Sequence, residues 1–253
     1  MARTRKPESN HFNMGIRILE CLVNWPTSRG VTQLAEELDL APSSTHDLLK
    51  VLCELGFAIH DPTTRRYAPS PRIFEFIHHF STQFGITPKV QELIHKRSTE
   101  LQLSIFLGTA WQNESYVVCT SGPLAGGSSL GSHGPIVHTA IGKALIATYM
   151  KDDWETYATY YEELEYSDSD PDKAREAFLK ELERISESGV AWNLFHTDSD
   201  VFSVAAPLST RGTNRKYAVA LVFTKAMYHI LDRSKMEETV KEIATEVEDA
   251  ISF

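Results

Sequence analysis

The chain is 253 residues long, 42% hydrophobic and 23% charged. That is an ordinary globular composition with room for one or two cored domains, so fibrous and wholly disordered classes are excluded. No apolar run reaches the length of a bilayer span, and the start, MARTRKPESNHFN, is basic without the apolar core of a signal peptide, so a cytoplasmic protein with no membrane partner is expected. The three cysteines, Cys21, Cys53 and Cys119, give neither a disulfide framework nor a zinc pattern. The net charge of −9 is uneven: residues 1–72 carry nine Lys/Arg against eight Asp/Glu, and residues 73–253 carry sixteen against twenty-six. The first third therefore points to a different partner from the rest.

In chain order, NMGIRILECLVNW places Met14, Ile18, Cys21, Leu22 and Trp25 at helical spacing, and Pro26 ends that helix. Thr32 is the expected N-cap of QLAEELDL, with Glu36 and Glu37 early in that helix. Pro42 suits the first turn of a third helix, SSTHDLLKVLCELG, whose stripe is Leu48, Leu52 and Leu55 and whose left-handed end is Gly56. FAIH and RYAPS then alternate like strands around the turn DPTTR. Three helices with a helix-turn-helix inside, followed by a hairpin, make a winged-helix plan.

PRIFEFIHHFSTQFG carries Ile73, Phe76, Ile77, Phe80 and Phe84 on one side and reads as a linker helix that packs against a second copy. Pro88 opens another helix, KVQELIHKRSTELQ. Beyond residue 103 the segments LSIFLGTAW, ESYVVCTSG, SGVAWNLF, SVAAPLS and KYAVALVFT read as mostly half-buried strands. Helices HTAIGKALIATYM and PDKAREAFLKELERISES lie between them, the latter capped by Asp170 with Pro171 at its first position. A last helix from about Asp232 repeats Met236, Val240, Ile243, Val247 and Ile251. The fold class is α+β.

VTQLAEELDLAPSSTHDLLKVLCELGFAIHDPTTRRYAPSPRIFEF resembles the winged helix-turn-helix of IclR-type transcriptional regulators, and LGSHGPIVHTAIGKALIA resembles the hallmark of their effector-binding domain. The most specific pieces are the T-x-L-A-x-x-L helix, the L-L-x-x-L-x-x-L-G stripe and the H-x-A-x-G-K-A run. The resemblance implies a winged helix-turn-helix over 1–70, a dimerising linker helix over 71–86 and a GAF-like effector-binding domain over 87–253. It further implies a homodimer or dimer of dimers, a double-stranded DNA operator, a small organic effector and no cofactor.

The second helix of such a pair enters the major groove by its N-terminal residues. Here those are Ser43, Ser44, Thr45, His46 and Asp47, followed by Lys50, with Thr32 at the start of the preceding helix. Arg65 and Arg66 on the hairpin, with Arg72 after it, suit phosphates or the minor groove, and Arg3, Arg5 and Lys6 form a basic arm. Pro42 and Asp47 stand where many relatives carry basic residues. A carboxylate there repels phosphate but can accept from cytosine N4.

Matched to the family, the effector site is Thr139, Ala140 and Ile141 at a helix start with Asn193, Ser203, Leu221 and Phe223 on strands. Its apolar bias predicts an aromatic or medium-sized organic acid, anchored by Asn193, Ser203 and helix-start amides. Two other classes compete: a hydrolase-type enzyme, or a ligand sensor, using the winged helix only as an interaction module. Gly127–Gly131 matches G-x-S-x-G around Ser129, but SHGP after it breaks the helix a nucleophile elbow needs, so no catalytic residue is expected. The P-loop reading of Gly142-Lys143-Ala144 fails because Val137 replaces the first glycine, which leaves Lys143 on a helix surface or a domain contact. No metal site is expected: His133 and His138 lack acidic or thiol partners at ligand spacing, His78 and His79 diverge around their helix, and Asp168, Asp170 and Asp172 lack the glycine and glutamate of a calcium loop.

Overall fold

The computed structural model describes residues 11–124, 130–164, 171–194, 200–209 and 215–251, in two units, 1–80 and 81–253. The basic arm, Ser129, Asp168 and Asp170 lie outside the described residues.

The first unit is α1 (His11–Asn24), α2 (Val31–Leu38), α3 (Pro42–Glu54), β1 (Ala58–Asp61) and β2 (Arg66–Pro69). The strands form an antiparallel hairpin. Tyr67 of the hairpin exchanges two backbone hydrogen bonds with Arg29, tying the wing to the segment before α2. Ile18 and Leu22 of α1, Leu34 of α2 and Leu49 of α3 are almost wholly buried and make the core. The α3 stripe is Leu48, Leu49 and Leu52; Leu55 is 52% exposed, because α3 ends at Glu54 and Gly56 turns the chain away with φ 76°. Trp25 also leaves the stripe. It lies beyond the end of α1, where its indole donates to Glu37 at 3.0 Å and stacks under Arg29 at 3.5 Å.

The cap of α2 departs from the expected Thr32. α2 starts two residues earlier, at Val31, with Gly30 as N-cap, and the Gln33 side chain accepts from the Gly30 amide at 3.1 Å. Pro42 stands at the first position of α3 as expected. α4 (Ile73–Gln83) follows with no buried residue and with Phe74, Phe76, Ile77 and Phe80 exposed.

The second unit continues with α5 (Pro88–Leu101), β3 (Ser104–Trp111), β4 (Glu114–Ser121), β5 (His133–Pro135), a 3₁₀ turn (Ile136–His138), α6 (Ala140–Ile146), α7 (Lys151–Leu164) and α8 (Pro171–Ser188). It closes with β6 (Ala191–Asn193), β7 (Val201–Pro207), β8 (Tyr217–Thr224), α9 (Lys225–Tyr228) and α10 (Arg233–Ala250). The six strands run in the order β5-β4-β3-β8-β7-β6, each neighbour antiparallel. Period-2 alternation sends Leu107, Val204, Val219, Leu221 and Phe223 to one face, with Val90, Ile94, Val240, Ile243 and Val247 of α5 and α10. It sends Phe106, Ala205, Ala218, Ala220 and Val222 to the other, with α6 and α8.

With both faces covered, β8 is buried from Tyr217 through Phe223, so the expectation of half-buried strands fails for the central strand. β5, α7 and α9 were not legible. β5 and α9 are only three and four residues long, and α7 buries just Trp154 and Ala158, too few for a readable stripe.

Candidate nucleic-acid interface and effector site

α3 presents one exposed stripe, Ser43, His46, Asp47 and Lys50, because the Leu48, Leu49 and Leu52 stripe fixes its rotation. Asp47 is 83% exposed, 3.9 Å from the His46 ring nitrogen, and Lys50 lies 3.9 Å from Glu54. Ser44 is half-buried. Thr45 departs from the expected contact set: it is wholly buried, and its hydroxyl donates to the Ala41 carbonyl at 3.1 Å. It faces the core because it lies one turn before Leu48 and Leu49.

On the wing, Arg65 is exposed with φ 55° at the tip, beside a turn built on Asp61. The Asp61 carboxylate accepts from the Thr64 hydroxyl at 2.6 Å and the Thr63 amide at 2.8 Å, bonds that hold its carboxyl below the usual range. Arg66 donates from Nη2 to Gln33 Oε1 at 3.2 Å. Thr32 is exposed on the first turn of α2. Arg72 stays 46% exposed but is held back against the end of α3: its guanidinium donates to the Leu55 carbonyl, lies over the Phe57 ring at 5.4 Å and pairs with Glu75 at 3.9 Å.

In the second unit, Thr139 caps α6, accepting from the Gly142 amide at 2.9 Å, and its hydroxyl meets that of Ser115 at 2.8 Å. The Gly142 amide is thereby taken, and the Lys143 amide donates to the Thr139 carbonyl, which removes two of the helix-start amides expected to anchor a ligand. A Cβ on Gly142 would lie 1.9 Å from the Ile136 carbonyl oxygen, so only glycine lets the 3₁₀ turn fold back onto α6. All seven α6 residues are buried. Lys143 contradicts the surface expectation: its side chain is 2% exposed and its ammonium donates to Glu181 of α8 at 2.8 Å.

Asn193 pairs with Ser203 across β6 and β7, Ser203 with Val222, and Val222 with Ser104, forming one polar-flanked row on the α6 face. Asn193 Oδ1 and Thr120 Oγ1, both on this face, are buried without a hydrogen-bond partner among the described residues. Leu221 and Phe223 do not join this row. They point to the α10 side, where Phe223 packs edge-on to Trp192 at 6.2 Å. The structure therefore divides the expected set: Thr139, Ala140, Ile141, Asn193 and Ser203 share one face, and Leu221 and Phe223 lie behind it. The β8 residues that do face α6 are Ala218, Ala220 and Val222.

Missed by sequence reasoning are Ser115, which braces the cap, and Tyr161, which stacks on Phe178 at 4.6 Å and meets the His138 ring at a tilt, 5.4 Å away. Tyr149 and Tyr157 continue this aromatic wall; burial pushes the Tyr149 phenol up to about 12. Only the aromatic richness of YATYY signalled it. His133 rests against Glu114 at 3.2 Å and stacks on Tyr116. Among the described residues no group of three or more His, Cys, Asp or Glu could hold a metal ion, and no helix is long and apolar enough to cross a membrane.

Residues 80–249 match the family described as Bacterial transcriptional regulator IclR C-terminal, and residues 15–62 match the IclR helix-turn-helix domain. The chain is 20% identical to the DNA-binding transcriptional repressor YiaJ of Escherichia coli K12 over 99% of this chain and 91% of that protein. It is 25% identical to the HTH-type transcriptional regulator XynR of the same organism over 76% and 77%. A crystal structure of an IclR homolog complexed with 4-hydroxybenzoate, from Microbacterium hydrocarbonoxydans, superposes with a TM-score of 0.76 at 12% identity, covering 95% of this chain and 98% of that one. The helix-turn-helix with its wing, the two-faced antiparallel sheet and both family matches lead to one conclusion: this chain belongs to the IclR family of DNA-binding transcriptional regulators.

Proposed function

We propose that the chain is an effector-responsive regulator acting in the cytoplasm, where its DNA lies. The exposed stripe of α3, Ser43, His46, Asp47 and Lys50, reads base edges, while Thr32, Arg65 and Arg66 engage phosphates. Thr45 and Arg72 serve the fold. The DNA reading rests on the exposure of that stripe beside the wing, in a family of DNA-binding regulators. The unburied apolar side of α4 supports self-association, with a groove of about 360 Å³ beside it lined by Leu19, Val23, Phe57, Ile73 and Phe76. A two-fold dimer reads half-sites roughly 34 Å apart or a multiple of it.

The second unit senses an aromatic or medium-sized organic acid on the α6 face of the sheet, among Thr139, Ala140, Ile141, Asn193 and Ser203. The observation that carries this is the buried Asn193 Oδ1, without a partner among the described residues and one strand from Ser203. An unmet buried acceptor costs about 1–3 kcal/mol, and a ligand hydroxyl donating to it recovers that cost. The related structure's 4-hydroxybenzoate has this form, an apolar ring between a hydroxyl and a carboxylate. Such a ligand changes operator binding only through unequal affinity for two arrangements of the DNA-reading heads.

The test is a thermal-shift screen of hydroxylated aromatic acids, aliphatic acids and glyoxylate, followed by operator binding with each hit. Stabilisation by aromatic acids that is lost in Asn193→Leu is expected; a preference for glyoxylate overturns the effector reading. On DNA, about 0.9 log units of affinity per log unit of salt are lost for each phosphate contacted. Arg65 and Arg66 of two subunits give a slope of about 4. No salt slope and no sequence preference would overturn the DNA reading.

A further inference from the structure

The wing arginine Arg66 does not stand alone. Its Nη2 donates to Gln33 Oε1 at 3.2 Å, and the same oxygen accepts from the Gly30 amide at 3.1 Å. One carboxamide oxygen thus joins the first turn of α2, the segment before it and the wing. That segment is already tied to the wing through the paired backbone of Arg29 and Tyr67. Gln33 and Thr32 are exposed, so the arginine is tethered at a solvent-facing edge rather than in a core.

The glutamine meets both demands without a charge. Its oxygen satisfies an amide that α2 would otherwise leave open. As a neutral acceptor it orients the guanidinium while leaving the positive charge unneutralised and the remaining donors available for an incoming anion. A glutamate at this position would meet the capping demand equally well, since Glu and Gln both close a capping box. It would, however, place a carboxylate where a phosphate has to approach.

We propose that Gln33 is a positioning residue for DNA binding: it holds Arg66 beside Thr32 so that the two grip one backbone phosphate of the duplex at the junction of α2 and the wing. This rests on the DNA-binding reading above. Freed from Gln33, Arg66 would lose the ordering that makes its contact effective, since an untethered arginine gives up rotamer freedom on binding.

The experiment uses the full chain and a duplex of about 30 base pairs selected by the wild-type protein from a randomised pool. Affinity is measured across a salt series for wild type, Gln33→Glu, Gln33→Ala, Arg66→Gln and Gln33→Ala/Arg66→Gln, with thermal melts of each; the double variant carries the neutral alanine, so that no new carboxylate acts on the phosphate independently of Arg66. Gln33→Glu is expected to melt with wild type, yet to bind about tenfold more weakly, with a salt slope lower by about one phosphate per subunit. Arg66→Gln is expected to match it, and the double variant to be no weaker than Arg66→Gln, because both act on one contact. Gln33→Glu binding like wild type with an unchanged slope would overturn the proposal and leave Gln33 as a cap only. Additive losses in the double variant would also overturn it. If the wild type selects no duplex and shows no salt-dependent binding, the DNA reading itself falls, and this inference with it.

Discussion

Lys143 places a buried ammonium in the second unit, and removing either member of its ion pair has unequal consequences. Its side chain is 2% exposed, whereas that of Glu181, 2.8 Å away, is 28% exposed. Replacing Glu181 by leucine strands a charge that has no route to water. Breaking a buried pair in this way costs about 3–5 kcal/mol, and the partial exposure of Glu181 puts this pair near the lower end, about 3. Replacing Lys143 by methionine removes the buried charge, fills a similar volume, and leaves a carboxylate that can turn to solvent, being 28% exposed. The cost there is under about 1 kcal/mol. For a unit spanning residues 81–253, each kcal/mol shifts the melting temperature by about 2–4 °C, so Glu181→Leu falls by about 6–12 °C and Lys143→Met by under about 4 °C. Lys143→Met/Glu181→Leu is expected to recover most of the loss of Glu181→Leu. Urea unfolding and thermal melts of the three variants measure this directly. Equal losses in the two single variants, or a double variant as weak as Glu181→Leu, would refute the reasoning.

Asp47→Ala is expected to abolish a preference for cytosine at one position of each half-site, with a loss on the selected duplex of about tenfold to a hundredfold; sequencing of pools selected by each protein checks it. Leu49→Ala, at a wholly buried position, should cost the first unit about 2–5 kcal/mol and weaken DNA binding while the melt of the second unit stays in place. Burial holds the Tyr217 and Tyr149 phenols up at about 12, above an unfolded value near 10. The folded state therefore keeps protons that the unfolded chain gives up. The stability this supplies is complete below about pH 10 and is lost as pH rises through about 12. Urea midpoints that do not fall over that range would count against it.

Much of the first unit was legible because its signals are local. Pro42 at a helix start, Gly56 at a left-handed end and the D-P-T-T-R turn each act within a few residues. Thr32 misled because it is a good cap two residues away from a glycine that Gln33 serves from within the helix. Thr45 misled because a hydroxyl at a helix start resembles a ligand contact, whereas the leucines one turn later draw it inward.

In the second unit the limit was parity. YAVALVF is apolar at every position because β8 is covered on both faces, so nothing along the strand says which side Leu221 and Phe223 take. A slip of one residue exchanges the faces. Lys143 was misplaced because its partner stands 38 residues away on another helix.

Local chemistry in the chain thus determined where helices begin and end, that a wing follows a helix-turn-helix, and which family the motifs belong to. Which face each central strand residue takes, how a lysine comes to be buried, and which arginine is held by Gln33 and which by the Leu55 carbonyl were decided by tertiary packing. Those outcomes depend on neighbours distant in sequence, and no pattern within a single segment encodes them.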